Sequence, residues 1–172
     1  MIKKNFLFSF IEKMVRTKTF GIINTVNQDG SPHSTGVLYG VSPPETKFAL
    51  YIATSKKYKK AVNIKRNPAV SFIITFPHHY FRFAPSSTIT FSGKVEILPF
   101  ENKELLAIFY EKRILRMITE HLDSDEKKDY IFLKIIPKPK VHVYGVGYNI
   151  LTLRKGHTEG GYSVIIPKER LS

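Results

Sequence analysis

The chain has 172 residues and no cysteine, which excludes disulfides, thiolate metal sites and cysteine nucleophiles. Its 42% hydrophobic and 24% charged residues suit a core-forming globular chain, read here as one domain over 1–172, and no apolar run is long enough to span a membrane. The 27 Lys and Arg against 14 Asp and Glu give a net charge of +13, which suits an anionic ligand or a solvated basic surface.

The N-terminus carries Lys3 and Lys4 before Phe6-Leu7-Phe8, a faint imitation of a signal peptide. Glu12-Lys13 stops the apolar stretch and no small-residue cleavage site follows, so the segment 2–15 reads as an amphipathic helix and the expected location is cytoplasmic. Thr19 to Asn27 is apolar and β-branched and reads as a strand. Asn27-Gln28-Asp29-Gly30 is a hairpin turn, and His33 to Val41 is the returning strand. Phe48 to Ala53 and Ala69 to Phe76 are two more strands around a short Lys-rich helix. After a loop from Pro77 to Pro85, Thr88 to Ile97 is a fifth strand. Segment 100–122 has helical periodicity with a change of phase near Arg113, which marks two short helices. Glu120 to Lys128 reads as a solvated connection. Tyr130 to Ile136 and Val141 to Tyr148 are strands, and Leu151 to Pro167 holds a final hairpin. The predicted fold is mainly β with helices: an antiparallel closed or split barrel.

One segment carries a chemical signal. An apolar strand ends in Thr54-Ser55, a helix with Lys59 and Lys60 follows, and Asn67-Pro68 stops it. Ser55 or Thr54 is placed to cap a helix starting near Lys56, with Ala61, Val62 and Ile64 on its buried side. Unpaired amides of a first helical turn, hydroxyls and two lysines together suit a phosphomonoester dianion. Such a segment is also an ordinary capped surface helix in many proteins.

The order of parts resembles the pyridoxamine-5′-phosphate-oxidase-like family of FMN-binding split barrels. The residues that carry the resemblance are Gly21 to Val26 with Asp29-Gly30-Ser31-Pro32-His33, Tyr51-Ile52-Ala53-Thr54 with Lys59-Lys60, Asn67-Pro68, and Phe91 to Glu96 around Gly93. The resemblance implies a homodimer with FMN at the subunit interface and a small-molecule redox substrate. It implies that His33, Ser34, Thr35, Gly36 and Val37 lie along the flavin ring. It implies that Thr54, Ser55, Lys59 and Lys60 hold the phosphate, and that Thr88 stands where a Gln often reaches the ring from the other subunit. Vitamin B6 oxidase activity does not transfer. The chain has no Trp, and Arg154, His157 and the terminal Arg170-Leu171 only loosely echo that family's substrate-phosphate element.

His33 is the nearby residue best suited to proton transfer, and equally a plain strand histidine. His78-His79 point apart in an extended chain and make a poor metal pair, and the loop Tyr80-Phe81-Arg82 is a candidate substrate contact. No metal site is expected. Two other ligands fit the same fold, a deazaflavin, whose longer tail could meet Lys3 and Lys4, or haem. A different class of reading is a non-enzymatic module whose charge serves RNA or DNA, although the chain holds no recognised nucleic-acid motif.

Overall fold

The computed structural model describes residues 7–77, 86–147 and 160–171. Lys3, Lys4, the His78-His79 loop, Arg154 and His157 lie outside the described residues, as does the first part of the expected final hairpin. The chain opens with helix α1 (Phe8–Arg16), which buries Phe8, Ile11 and Val15 at helical spacing. Strands β1 (Phe20–Val26), β2 (Pro32–Leu38), β3 (Gly40–Val41) and β4 (Leu50–Ser55) follow. Then come α2 (Lys59–Arg66), β5 (Ala69–Phe76), β6 (Ser87–Pro99), α3 (Lys103–Tyr110), α4 (Arg113–Glu120), α5 (Ser124–Asp129), β7 (Tyr130–Tyr144) and β8 (Gly161–Ile165).

The strands form one antiparallel sheet in the order β2-β1-β5-β6-β7-β4-β3, with β8 also on β7. Strand β7 organises it. Its 15 residues pair with β6 along their length, with β4 through Tyr130 to Ile135, and with β8 through Lys140 to Tyr144. The sheet therefore forks and curls into a split barrel. The two strands expected over Tyr130–Ile136 and Val141–Tyr148 are one strand, because Pro137 sits opposite Gly93 where the β6 register shifts and the pairing continues past it.

Two apolar clusters hold the barrel. The larger contains Ile23, Phe48, Leu50, Phe72, Phe91 and Leu133 and is covered by α1. The smaller joins Tyr51, Phe100, Leu105, Phe109 and Phe132 under α3, with the Phe100 and Phe132 rings stacked at 5.1 Å. Leu50 and Ile52 face the first cluster and Tyr51 faces the second, so β4 is buried on both sides. That explains its unbroken apolar sequence. In β6, by contrast, Ile89, Phe91 and Val95 are buried while Thr88, Thr90 and Ser92 are only partly covered.

Buried charge ties the ends together. The Glu12 carboxylate accepts from Arg16 at 2.6 Å and from Arg170 at 2.9 Å, which binds the C-terminal turn to α1. Lys112 Nζ donates to the carbonyls of Arg16 at 2.6 Å and Lys18 at 3.2 Å, closing the end of α1. The connection after α4 is a short helix rather than open loop. Asp123 and Glu126 form a capping box that starts α5.

The Gly93 position is set by packing. A Cβ there would lie 2.3 Å from the Ile136 carbonyl oxygen, which is backbone and cannot step aside. Gly93→Ala should cost about 1–3 kcal/mol. The check is a lower urea midpoint with an unchanged m-value.

Candidate functional site

The site grows from the β1–β2 hairpin. Gly30 takes a φ of 83°, which closes the turn after Asn27. Asp29 accepts from the Ser31 amide at 3.0 Å and the Ser31 hydroxyl at 2.6 Å. The Ser31 hydroxyl chiefly, with its amide, holds the Asp29 carboxyl below the usual range, and Lys59 adds a smaller pull. Strand β2 then runs along one edge of the sheet.

Helix α2 is fastened across this hairpin by one buried amide. Asn63 Nδ2 donates to Thr25 Oγ1 at 3.1 Å and to Asn27 Oδ1 at 3.0 Å. The Thr25 hydroxyl in turn donates to the His33 carbonyl at 3.3 Å. Arg66 adds a bond to the Val26 carbonyl at 2.7 Å. Ala61 and Ile64 pack the same side. Val62, expected on the buried side, is 52% exposed because the inward positions fall at 61, 63 and 64.

This clamp sets Lys59 and Lys60 beside His33 and Thr35. Together with Tyr58 they line a cleft of about 300 Å³. Among the described residues the lining has two cations, Lys59 and Lys60, and no carboxylate. Lys60 Nζ lies 4.7 Å from the centre of the Tyr58 ring, and partial burial lowers its pKa from the ordinary 10.5. No side chain caps α2; the Ala61 and Val62 amides donate to the Tyr58 carbonyl, and the Lys59 and Lys60 amides have no hydrogen-bond partner among the described residues.

The capping expectation needs correction. The helix begins at Lys59, not near Lys56, and Tyr58 is the N-cap residue. Ser55 Oγ instead accepts from the Lys57 amide at 3.2 Å, while the Lys56 amide donates to the Asp129 carbonyl at 2.8 Å and Lys57 pairs with the Asp129 carboxylate. Those bonds hold residues 55–58 in a turn and delay the helix. Thr54 is buried in β4, and its hydroxyl has no hydrogen-bond partner among the described residues.

Of the residues singled out from the sequence, the structure brings His33, Thr35, Lys59 and Lys60 around one cleft. Thr54 and Ser55 sit outside its lining. Val37 is buried in the core, and Ser34 and Gly36 lie on the opposite side of β2, Ser34 bonded to Asn24 at 2.7 Å. Thr88 lies three strands away on β6, in a second cleft. Sequence reasoning missed Tyr58 and Asn63. A polar Asn among the inward positions of α2 was the available signal for the second. Among the described residues no three His, Cys, Asp or Glu side chains gather into a metal site, and no helix is long and apolar enough to cross a membrane.

A split barrel with a cationic cleft at its edge hairpin defines the class. The family model described as pyridoxamine 5′-phosphate oxidase matches residues 9–139, and the chain belongs to that family. No curated protein matches the sequence. Among solved structures, the fold is similar to a haem-binding protein from Mycobacterium smegmatis (17% identity, 95% of this chain and 60% of that one, TM-score 0.68). It is similar to the haem storage protein HutZ from Vibrio cholerae (18% identity, 81% and 95%, TM-score 0.62). It is also similar to an F420 reductase (23% identity, 74% and 92%, TM-score 0.53). At these identities the likeness concerns the fold.

Replacing Asn63 by Ala leaves α2 without its polar anchor and the Thr25 and Asn27 oxygens without a donor. We expect a loss of about 1–3 kcal/mol. Urea unfolding measures it, and faster amide exchange in α2 than in β6 marks the helix as the part released.

Proposed function

We propose that this chain is an FMN-binding flavoprotein that acts as a flavin-dependent oxidoreductase on a small molecule. The observation that carries the reading is the cleft in which Lys59 and Lys60, at the uncapped start of α2, face His33 and Thr35 of the edge strand. A phosphate there would take charge-assisted hydrogen bonds from two ammonium groups and from backbone amides. The described lining has no carboxylate, and Asp29 stands outside it within electrostatic reach of Lys59. Membership of the family supports the same ligand.

FMN, once bound, would supply the redox chemistry. The residues supply its setting. Lys59 and Lys60 fix the phosphate, the β2 backbone gives a flat rail, and His33 in the cleft is able to hold or release a proton.

We propose further that two copies pair through the outer face of the sheet. One row of registered neighbours crosses six strands there: Gly36, Ile22, Ile73, Thr90, His142 and Ser163. This row holds no Lys, Arg, Asp or Glu, although the chain carries +13, and in the row beside it that starts at Ser34 the first charge is Lys140 on β7. A neutral face is where a second copy of so basic a chain packs without desolvating like charges.

A second reading keeps the fold and changes the ligand. The similar structures named for haem and F420 favour haem or a deazaflavin. The absorbance spectrum of the purified protein separates the three.

The test is titration of the protein with FMN, followed by flavin fluorescence. Lys59→Ala/Lys60→Ala should weaken binding by about 10- to 100-fold, roughly 1 kcal/mol or somewhat more per lysine. Unchanged affinity would refute the phosphate site. The pH dependence has a definite sign. Anion binding needs Lys60 protonated, and burial makes it lose its proton below the ordinary 10.5. Affinity should therefore fall as pH rises into the alkaline range, earlier than for an ordinary lysine. Lys60→Arg should remove that early fall.

A further inference from the structure

Tyr58 holds the N-cap of α2 in extended backbone geometry and lines the edge cleft. Three backbone bonds fix it there. Its amide donates to the Ser55 carbonyl at 3.2 Å, and its carbonyl accepts from the Ala61 amide at 2.9 Å and the Val62 amide at 3.1 Å. One residue earlier, Lys57 pairs with the Asp129 carboxylate. A pinned backbone therefore presents the ring, 54% exposed, as one wall of the cleft. Lys60 Nζ sits 4.7 Å from the centre of that ring, within the range of a cation–π contact.

The two lysines of the cleft are not equivalent. Lys59 is exposed and lies within electrostatic reach of the Asp29 carboxylate of the hairpin turn. Lys60 is half-buried, and burial penalises its ammonium and lowers its pKa. A long side chain so placed gains by turning its charged head out to water. The Tyr58 ring offers a different resting place, because its negative face meets the charge inside the cleft.

We propose that Tyr58 is a positioning residue of the edge cleft, its ring holding the Lys60 ammonium over the place where an anion binds. The ring acts through Lys60 and not on the ligand. Its consequence for phosphate affinity rests on the FMN reading above, and the ring–ammonium contact does not. The titratable groups around Lys60 in the cleft are Lys59, His33 and Tyr58 itself, with Asp29 acting on Lys59 and Tyr130 in electrostatic reach of Tyr58. Replacing the ring by a side chain without one removes what favours the charge and leaves the burial, so Lys60 loses its proton at a lower pH.

The experiment follows the Lys60 ε-carbon by NMR through a pH titration of the intact protein without ligand, its signal assigned by comparison with Lys60→Ala. Tyr58→Leu and Tyr58→Gln remove the ring, and Tyr58→Phe keeps it. The inference expects the Lys60 titration to move to lower pH in both ring-free variants and to stay in place in Tyr58→Phe. FMN affinity should fall by about two- to fivefold in the ring-free variants, the worth of an exposed cation–π contact, with riboflavin affinity unchanged. In a Lys60→Ala background the same replacements should cost nothing further. An unmoved Lys60 titration overturns the inference, even where FMN is taken up through the lysines. An equal loss with and without Lys60, or an equal loss of riboflavin, assigns Tyr58 to the fold or to the ligand and also overturns it. A Lys60 titration that follows the ring in a protein that takes up no FMN refutes the FMN reading and leaves the ring's hold on Lys60 standing.

Discussion

The buried amide of Asn63 is the interaction on which the site depends. A helix of eight residues is too short to hold its place by propensity alone. Here two hydrogen bonds from one side chain join α2 to both the strand and the turn of the edge hairpin. Because the acceptors are buried or part-buried, losing the donor leaves oxygens desolvated and unpaired, and the cost exceeds the worth of the bonds themselves. The consequence is positional. With Asn63 pinned, Lys59 and Lys60 one turn earlier come to lie against His33 and Thr35, and two elements far apart in sequence become one cationic cleft.

The same hairpin shows how a sheet divides its labour. The half-buried side of β2, with His33 and Thr35, faces α2 and its lysines, while Ser34 and Gly36 belong to the neutral outer face that runs to β8. Lys59 and Lys60 stand together at the barrel's edge, while the described sheet surface from Ser34 across to Thr90 carries no charged side chain and Lys140 stands at its far end on β7. In a chain of +13 the pairing of Lys59 with Lys60 beside His33 gives two of the basic residues a shared cleft.

Much of this was legible in the sequence because the signals are local. Asn27 to Gly30 has the chemistry of its turn, Asn67-Pro68 ends a helix by sterics, and the phase change near Arg113 does separate α3 from α4. Family membership rests on the spacing of such features. What was not legible came from distant partners. Asp129, more than seventy residues on, binds Lys56 and Lys57 and moves the start of α2 to Lys59. Pairing with β6 carries β7 straight through Pro137, a residue that alone reads as a break. The second cleft needs β6, β7 and β8 in register, so no stretch of sequence contains it.

The central claim is that the edge cleft holds a phosphate, and it is tested most directly by comparing FMN with riboflavin. The two share a ring and differ by the phosphate alone. Calorimetric titration of the intact protein should show FMN bound more tightly, by about tenfold or more, as expected for a charge-assisted anchor. That difference should vanish in Lys59→Ala/Lys60→Ala. Equal affinity for FMN and riboflavin in the unaltered protein would contradict the account.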